Sequence, residues 1–217
     1  MKKLPVRPEL LIIILMICFF LVGYIGHMLE LTRDLMLFLT PFFLLGMGVL
    51  VLYPFIRRKE YKVLVWALVT YVITFVIEAL GVWTGLIFGE YDYGATLGPA
   101  LFGVPLVIGF NWVIVIMGST ELSRMFIRDK RIYPIFAGLT AMVFDIVLEP
   151  AAMELDYWDW AGGTIPIQNY IAWFVIATLM AYSYTFVRKE GSSRPLIVYL
   201  FLQTILFLLI RVFIVGG

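Results

Sequence analysis

The chain has 217 residues, of which 63% are hydrophobic and only 14% are charged, and its mean hydropathy is +1.00. This composition excludes a soluble globular domain and indicates an integral membrane protein. The formal net charge of +1 offers no basic surface, so we expect no nucleic-acid partner. With one cysteine, Cys18, and one histidine, His27, an internal disulfide and a cysteine- or histidine-based metal cluster are also excluded.

Seven apolar runs are long enough to cross a bilayer as helices, since a span needs about 20 residues. Short connections join them, and we predict an all-α bundle of about seven transmembrane helices that forms a single domain over residues 1–217. We interpret the first run as a membrane helix rather than a signal peptide, because no small-residue cleavage site follows it. The runs cover about residues 9–27, 36–56, 62–83, 100–122, 132–150, 166–187 and 195–214.

The basic residues predict how this bundle is oriented. Once the helices are assigned, 14 of the 16 Lys and Arg residues fall on one side, and only Arg33 and Arg211 lie elsewhere. Because basic loops stay in the cytoplasm, we expect a cytoplasmic N-terminus and an external C-terminus in the cell (plasma) membrane. The predicted outer loops are acidic and aromatic instead, at 90–93 after the third helix and 154–160 after the fifth.

Three carboxylates interrupt the apolar runs: Glu78 in the third helix, and Asp145 and Glu149 in the fifth. A charge at membrane depth costs about 2.5–3.5 kcal/mol on insertion scales, so such residues usually face the bundle interior and mark a site. Asp145 and Glu149 are four residues apart, on one helical face, where the pair could share a proton and act as an acid. The alternative is structural, with hydrogen bonds to Asn111, Gln203 or a tyrosine holding the helices together.

Polar and aromatic side chains gather near the predicted outer ends of the same helices. Asn111 and Asn169 could orient a water molecule or a carboxyl group, or could simply join helices. Most of the aromatic residues could form an interfacial belt, but aromatic faces beside buried acids also suit a site that forms a carbocation. This aromatic set is Tyr91, Tyr93, Trp112, Tyr157, Trp158, Trp160, Tyr170 and Trp173.

Two local features carry further expectations. Because a proline disfavours helical geometry in the residue before it, Pro150 predicts that the fifth helix ends or kinks at Glu149. Glu121 and Arg124, three residues apart at the inner end of the fourth helix, indicate a surface ion pair. Helices three and four also resemble helices five and six in their order of acidic residue, acidic-aromatic loop, Asn and Trp, which a parallel duplication would explain.

Several stretches of residues 70–180 occur together in a characteristic order: EALGVWTGLIFGEYDY from Glu78, GVPLVIGFNW from Gly103, DIVLEP from Asp145 with WDW from Trp158, and IPIQNYIAW from Ile165. In these stretches the chain resembles the carotenoid-biosynthesis membrane proteins. That family includes the carotenoid 1,2-hydratases and the bisanhydrobacterioruberin hydratases. The resemblance implies a hydro-lyase that adds water to the terminal C=C bond of an acyclic carotenoid, with no cofactor and no metal.

The resemblance also implies roles for the predicted site residues. Asp145 or Glu149 would protonate the alkene to a tertiary cation, and the other of the two, or Glu78, would position and deprotonate the water. Asn111 and Asn169 would orient that water or a carboxyl group. The lipophilic carotenoid would enter from the membrane lipid, and the sequence leaves the oligomeric state open. Aromatic shielding would come from Tyr93, Trp112, Trp160 and Trp173.

The sequence leaves two other functions open. In a proton-coupled or lipid transporter without catalytic activity, the same carboxylates would relay protons. A related polyisoprenoid cyclase would use the same acid and aromatic residues without capturing water.

Overall fold

The computed structural model describes residues 8–188 and 193–215, and within them seven helices are long and apolar enough to cross a membrane. This finding confirms the predicted all-α bundle, and the protein is a multi-pass membrane protein. The helices are α1 (Pro8–Met28), α2 (Glu30–Arg57), α3 (Tyr61–Thr84), α4 (Leu106–Phe126), α5 (Tyr133–Glu154), α6 (Ile167–Val187) and α7 (Arg194–Ile210), which a π-helical turn (Arg211–Val215) continues.

The orientation of the termini stays a prediction. It rests partly on Lys2, Lys3, Arg7 and Lys189, which lie outside the described residues.

Short strands link the helices at one end of the bundle, which we call the ribbon end. They are β1 (Tyr91–Tyr93), β2 (Ala100–Leu101), β3 (Val104–Pro105) and β4 (Trp158–Trp160), and a short 3-10 turn (Ala161–Gly163) follows β4. Strands β2 and β3 form a hairpin, so α4 begins at residue 106 rather than at residue 100 as its apolar run suggested. The apolar residues of the hairpin extend the hydrophobic run without belonging to the helix.

The sequence predicts that the fifth helix ends or kinks at Glu149, and the structure shows that Pro150 does not end it. Helix α5 continues through Pro150 to Glu154, and its last turn is retained by the Leu155 N–H, which donates to the Ala151 carbonyl oxygen. A proline removes a single backbone donor from the helix. The remaining hydrogen bonds, together with the packing of the buried Ala151 and Ala152, are enough to continue the helix for one more turn.

Helix α4 lies at the centre of the bundle, and most of its side chains are buried. The outer helices expose large apolar side chains instead, among them Phe38, Phe42 and Trp83. An apolar surface of this extent is unfavourable in water but matches the hydrocarbon interior of a bilayer.

Glu121 and Arg124 form the predicted ion pair, at 3.2 Å, but the pair is not at the surface, because the Glu121 side chain is completely buried. Its carboxylate accepts hydrogen bonds from Arg188 Nε at 2.5 Å, from the Tyr184 hydroxyl at 3.1 Å and from the Ser193 backbone N–H at 3.1 Å, as well as from Arg124. Buried charges need such partners, and this set joins α4 to the end of α6 and the start of α7. We interpret this cluster as a set of structural contacts that hold α4, α6 and α7 together at the end of the bundle opposite the ribbon end.

Close packing of α5 against α6 leads to a prediction about Gly138. A Cβ atom at this position would lie 2.7 Å from the Phe174 carbonyl oxygen and 1.9 Å from Thr178 Oγ1, so the helices would have to separate. We expect Gly138→Ala to destabilise the protein by about 1–3 kcal/mol, the usual range for overpacking, as measured by thermal unfolding in detergent. The matched control is Gly23→Ala, where a Cβ atom would meet nothing within 4 Å. Equal stability of the two variants would contradict the prediction.

Candidate functional site

Strands β1 and β4 join two connecting segments that are far apart in the sequence. They pair antiparallel, with Tyr91 opposite Trp160, Asp92 opposite Asp159 and the third pair formed by Tyr93 and Trp158. Because successive side chains of a strand point to opposite faces, the aromatic residues turn inward while the two aspartates are exposed to solvent. The ribbon thus covers one end of the bundle with aromatic side chains.

A glycine turn brings the first strand over α3. Helix α3 ends at Thr84 and is capped by Gly85, which has a left-handed conformation (φ 66°) and donates its N–H to the Gly81 carbonyl oxygen. Such a cap is favourable for glycine, which has no Cβ to clash. Phe88 then packs against Gly81, and the chain returns across the end of α3. Tyr91 and Tyr93 are placed next to Glu78 as a result.

Glu78 is buried, with three hydrogen-bond donors around its carboxyl group. Oε2 accepts from the Tyr91 hydroxyl at 2.5 Å and the Tyr93 hydroxyl at 2.8 Å, and Oε1 accepts from Trp112 Nε1 at 2.7 Å. Burial raises the pKa of both tyrosine hydroxyls above the ordinary tyrosine value, and the negative charge of Glu78 raises it further. Both hydroxyls therefore stay protonated and can donate. An indole N–H can only donate, and the set provides what a carboxylate anion needs.

Glu149 is surrounded in the same way by residues of the second half of the chain. Its Oε2 accepts from Trp158 Nε1 at 3.0 Å and Trp160 Nε1 at 2.7 Å, and its Oε1 accepts from Asn169 Nδ2 at 2.9 Å. Asn169 Nδ2 also lies 2.6 Å from Asp145 Oδ2, so one amide joins both carboxyl groups of α5. The common partner fixes the pair in a single network.

Asp145 differs from the two glutamates in its surroundings. It is completely buried, and Oδ1 has no hydrogen-bond partner among the described residues. An unpaired oxygen is far more unfavourable for a carboxylate anion than for a neutral carboxylic acid in an apolar environment. These surroundings therefore suit Asp145 as the member of the pair that holds a proton.

Glu78 and Glu149 face the same small cavity, whose volume is about 30 Å³. A buried water needs about 10–15 Å³ of such space, so the cavity has room for one or two water molecules. Of the nine predicted site residues, only Asp145 does not line it and lies behind Asn169 instead. The eight that line it are Glu78, Tyr93, Asn111, Trp112, Glu149, Trp160, Asn169 and Trp173.

Aromatic rings form most of the wall. Trp112 and Trp173 stack with their ring centroids 3.7 Å apart and their planes at 18°, which joins α4 to α6. Across the ribbon, the Tyr91 ring lies 4.9 Å from the Trp160 ring. The faces of such rings attract positive charge. The cavity therefore combines carboxyl groups, room for water and aromatic faces within one buried space.

Asn111 contacts neither glutamate by hydrogen bond in the described structure. Its Oδ1 accepts instead from Gln203 Nε2 at 3.0 Å, which ties α4 to α7. If the carboxylates only held the helices together, their expected partners were Asn111, Gln203 or a tyrosine. Of these, only tyrosines donate to a carboxylate, and they donate to Glu78. Asn111 stays at the cavity wall, where it could contact a water molecule.

Tyr91 and Trp158 belong to the site, although the sequence indicates them only as members of the aromatic set. A signal for them existed, since Tyr-Asp-Tyr and Trp-Asp-Trp both alternate in the manner of a half-buried strand. The pairing of these two segments is what places both residues next to a glutamate. Within residues 8–188 and 193–215, no three His, Cys, Asp or Glu side chains are arranged to hold a metal ion.

Within the described residues, seven apolar helices and the cavity that Glu78 and Glu149 face define a multi-pass membrane protein with a carboxylate–aromatic site. The chain belongs to the carotenoid biosynthesis protein family, whose family model matches residues 38–216. This match confirms the resemblance found in the sequence.

One curated relative is bisanhydrobacterioruberin hydratase of Haloarcula japonica, which is 30% identical over 149 residues. The alignment takes in 62% of this chain and 48% of the relative, so the chain spans about half of that protein's length. No solved structure matches the chain.

Proposed function

We propose that the protein is a carotenoid hydratase of the cell membrane, which adds water to the terminal C=C bond of an acyclic carotenoid. The observation that carries this proposal is the small cavity, where two buried glutamates and several aromatic faces surround space for water. Family membership supports a role in carotenoid biosynthesis, and the name of the relative supports hydration as the reaction.

A comparison of α3 with α5 supports a division of labour between the glutamates. The residue four positions before Glu78 is Thr74, whereas the residue four positions before Glu149 is Asp145. Thr74 is buried, and its hydroxyl donates to the Thr70 carbonyl oxygen. The second half of the site therefore has an additional carboxyl group, and two neighbouring buried carboxyl groups favour holding a proton between them. We assign the acid to Glu149 with Asp145, and the base to Glu78.

The reaction then proceeds in two steps on these side chains. The proton shared by Asp145 and Glu149 is delivered by Glu149, the member of the pair that lines the cavity, to the less substituted carbon of the terminal double bond. This forms a C–H bond and leaves a tertiary cation on the neighbouring carbon. The faces of Trp112 and Trp173 stabilise that cation. A water molecule attacks the cation through its oxygen, and its surplus proton passes to Glu78.

Return of the proton completes the cycle. Glu78 and Glu149 both line the cavity, so water within it can carry the proton from one to the other. The net change is the addition of one water molecule to the alkene, with no net oxidation or reduction.

Substrate entry requires movement of the cavity walls. A space of about 30 Å³ holds water but is too small for an isoprenoid end group. The aromatic side chains of the wall must therefore move apart when the polyene enters from the lipid, a kind of local rearrangement that is common on binding.

Expression of the chain in a host that accumulates lycopene tests the proposal. We expect extracted pigment to gain the mass of one or two water molecules, as measured by liquid chromatography and mass spectrometry. A pigment of unchanged mass but altered absorption and retention would favour the cyclase. An unchanged pigment, with abundant folded protein and with an elongated or half-cyclised carotenoid also tested, would contradict hydration and favour the transporter.

A further inference from the structure

A second and larger cavity lies between α1, α2 and α7. Its volume is about 430 Å³, within the range of roughly 300–1,000 Å³ that is common for ligand sites. Phenylalanine side chains form much of the wall, and none of the described residues that line it is Asp, Glu, Lys or Arg. Val22 and Phe42 at its edge are 61% and 62% exposed, so the groove opens on the surface that faces lipid. A ligand of this groove would be neutral and mostly apolar.

Two buried acceptor atoms in the wall have no partner among the described residues. Gln203 is 2% exposed, and because its Nε2 donates to Asn111, its Oε1 is left as a free acceptor. His27 is 6% exposed, and its Nδ1 lies 2.7 Å from the Gly23 carbonyl oxygen. Nδ1 must therefore carry the hydrogen, which leaves Nε2 as the second free acceptor. Burying such atoms is unfavourable unless a donor meets them.

The groove is separated from the small cavity by one layer of side chains. Asn111 lines the cavity and is hydrogen-bonded to Gln203, which lines the groove. The ring of Phe207 in the groove lies 6.1 Å from that of Phe144, which lies 6.4 Å from the ring of Trp173 in the cavity wall. Of the two free acceptors, Gln203 Oε1 thus belongs to the residue in direct contact with the cavity wall.

We propose that this groove is a binding site for an apolar chain bearing a hydroxyl group, which donates its hydrogen bond to Gln203 Oε1. A neutral hydroxyl is the donor that fits a wall without charged residues. The identification of this ligand as the tertiary alcohol released by hydration rests on the proposed function. The groove would then hold the product and not the hydrocarbon substrate, because the substrate has no donor for Gln203.

A competition experiment tests this site without requiring turnover. The full chain carrying Glu149→Gln is reconstituted in lipid nanodiscs with equal amounts of lycopene and its monohydrated derivative, and the bound pigments are separated by chromatography. We expect the alcohol to be enriched about three- to tenfold, as one net hydrogen bond gives. Adding Gln203→Met, which nearly conserves the side-chain volume, should reduce the enrichment to about one.

Matched variants identify the atom responsible. His27→Phe removes the other free acceptor but leaves the Gln203–Asn111 bond intact, and it should keep the enrichment. Gln168→Leu changes a glutamine outside the groove and should also keep it. The proposal would be overturned if His27→Phe alone abolished the enrichment of the alcohol, or if Gln203→Met kept it. It would also be overturned if the Glu149→Gln protein showed no enrichment at all. Displacement of the pigment by diacylglycerol as effectively as by the alcohol would overturn its assignment to the product.

Photolabelling gives a test that needs no change at Gln203. A diazirine-bearing isoprenoid alcohol should label peptides from residues 19–47 and 203–207, whereas the matched hydrocarbon should not. Equal labelling by both probes would contradict the site. Because these experiments measure binding, an alcohol-selective groove in a protein that leaves pigment unhydrated would refute the hydratase function and not the groove.

Discussion

Glu149→Gln is expected to lower the rate of pigment hydration by about 10²- to 10⁴-fold, the usual contribution of a general acid. Glutamine nearly preserves the shape of the side chain, and its carbonyl oxygen can still accept from Trp158 and Trp160, but it has no acidic proton. The measurement is the initial rate of hydrated pigment formation in isolated membranes. Glu154→Gln, an exposed position on the same helix, is the matched control and should keep full activity.

Substitution of Asp145, the neighbouring carboxyl group, gives a second test of the assignment of Glu149 as the acid. Asp145→Thr gives α5 the residue that α3 has four positions before its own glutamate. Activity should fall, because Glu149 then loses the group with which it shares a proton, while its three hydrogen-bond donors remain. Full turnover in both Glu149→Gln and Asp145→Thr would show that the acid lies elsewhere.

Glu78→Gln is expected to lower hydration by about 10²-fold or more, for a different reason. The cation still forms, but the water that should capture it has no base. In deuterated water the cation can lose a proton again and regenerate an alkene, so the recovered pigment should contain deuterium although it gains no water. Mass spectrometry of the unhydrated pigment measures this exchange. Asp92→Asn, exposed on β1, is the control.

The two glutamate variants should therefore differ in exchange as well as in rate. Glu149→Gln blocks protonation, and its pigment should contain no deuterium. If Glu149→Gln exchanges and Glu78→Gln does not, the roles of the two glutamates are reversed. If neither variant affects hydration, the small cavity is not the catalytic site.

The sequence revealed those features that have a local energetic signature. A carboxylate inside an apolar run is unfavourable unless it faces a site, which made Glu78, Asp145 and Glu149 visible without any structure. Long apolar runs likewise revealed the seven helices. The apolar run places the start of α4 too early, because the residues of the β2–β3 hairpin are also mostly apolar.

Features that depend on contacts between residues far apart in the sequence cannot be predicted in this way. The alternation in Tyr-Asp-Tyr indicates a strand, but nothing local says that its partner begins at Trp158. Glu121 looks like a surface residue because its neighbour Arg124 is three positions away, whereas its buried contact with Arg188 depends on how α4 and α6 meet. The groove between α1 and α7 has the same origin, since these helices are at opposite ends of the sequence.

The partners of the two glutamates also bear on how the protein assembles in the membrane. Glu78 takes its donors from residues 91, 93 and 112, and Glu149 takes its donors from residues 158, 160 and 169. All donors of Glu78 therefore come from the part of the chain before α5, and all donors of Glu149 come from the part after α5. The two carboxyl environments face each other across the cavity only when the two halves of the chain are joined by the pairing of strands β1 and β4 and by the Trp112–Trp173 stack. Closure of the cavity therefore depends on the docking of the second half of the chain onto the first, and not on the folding of either half alone.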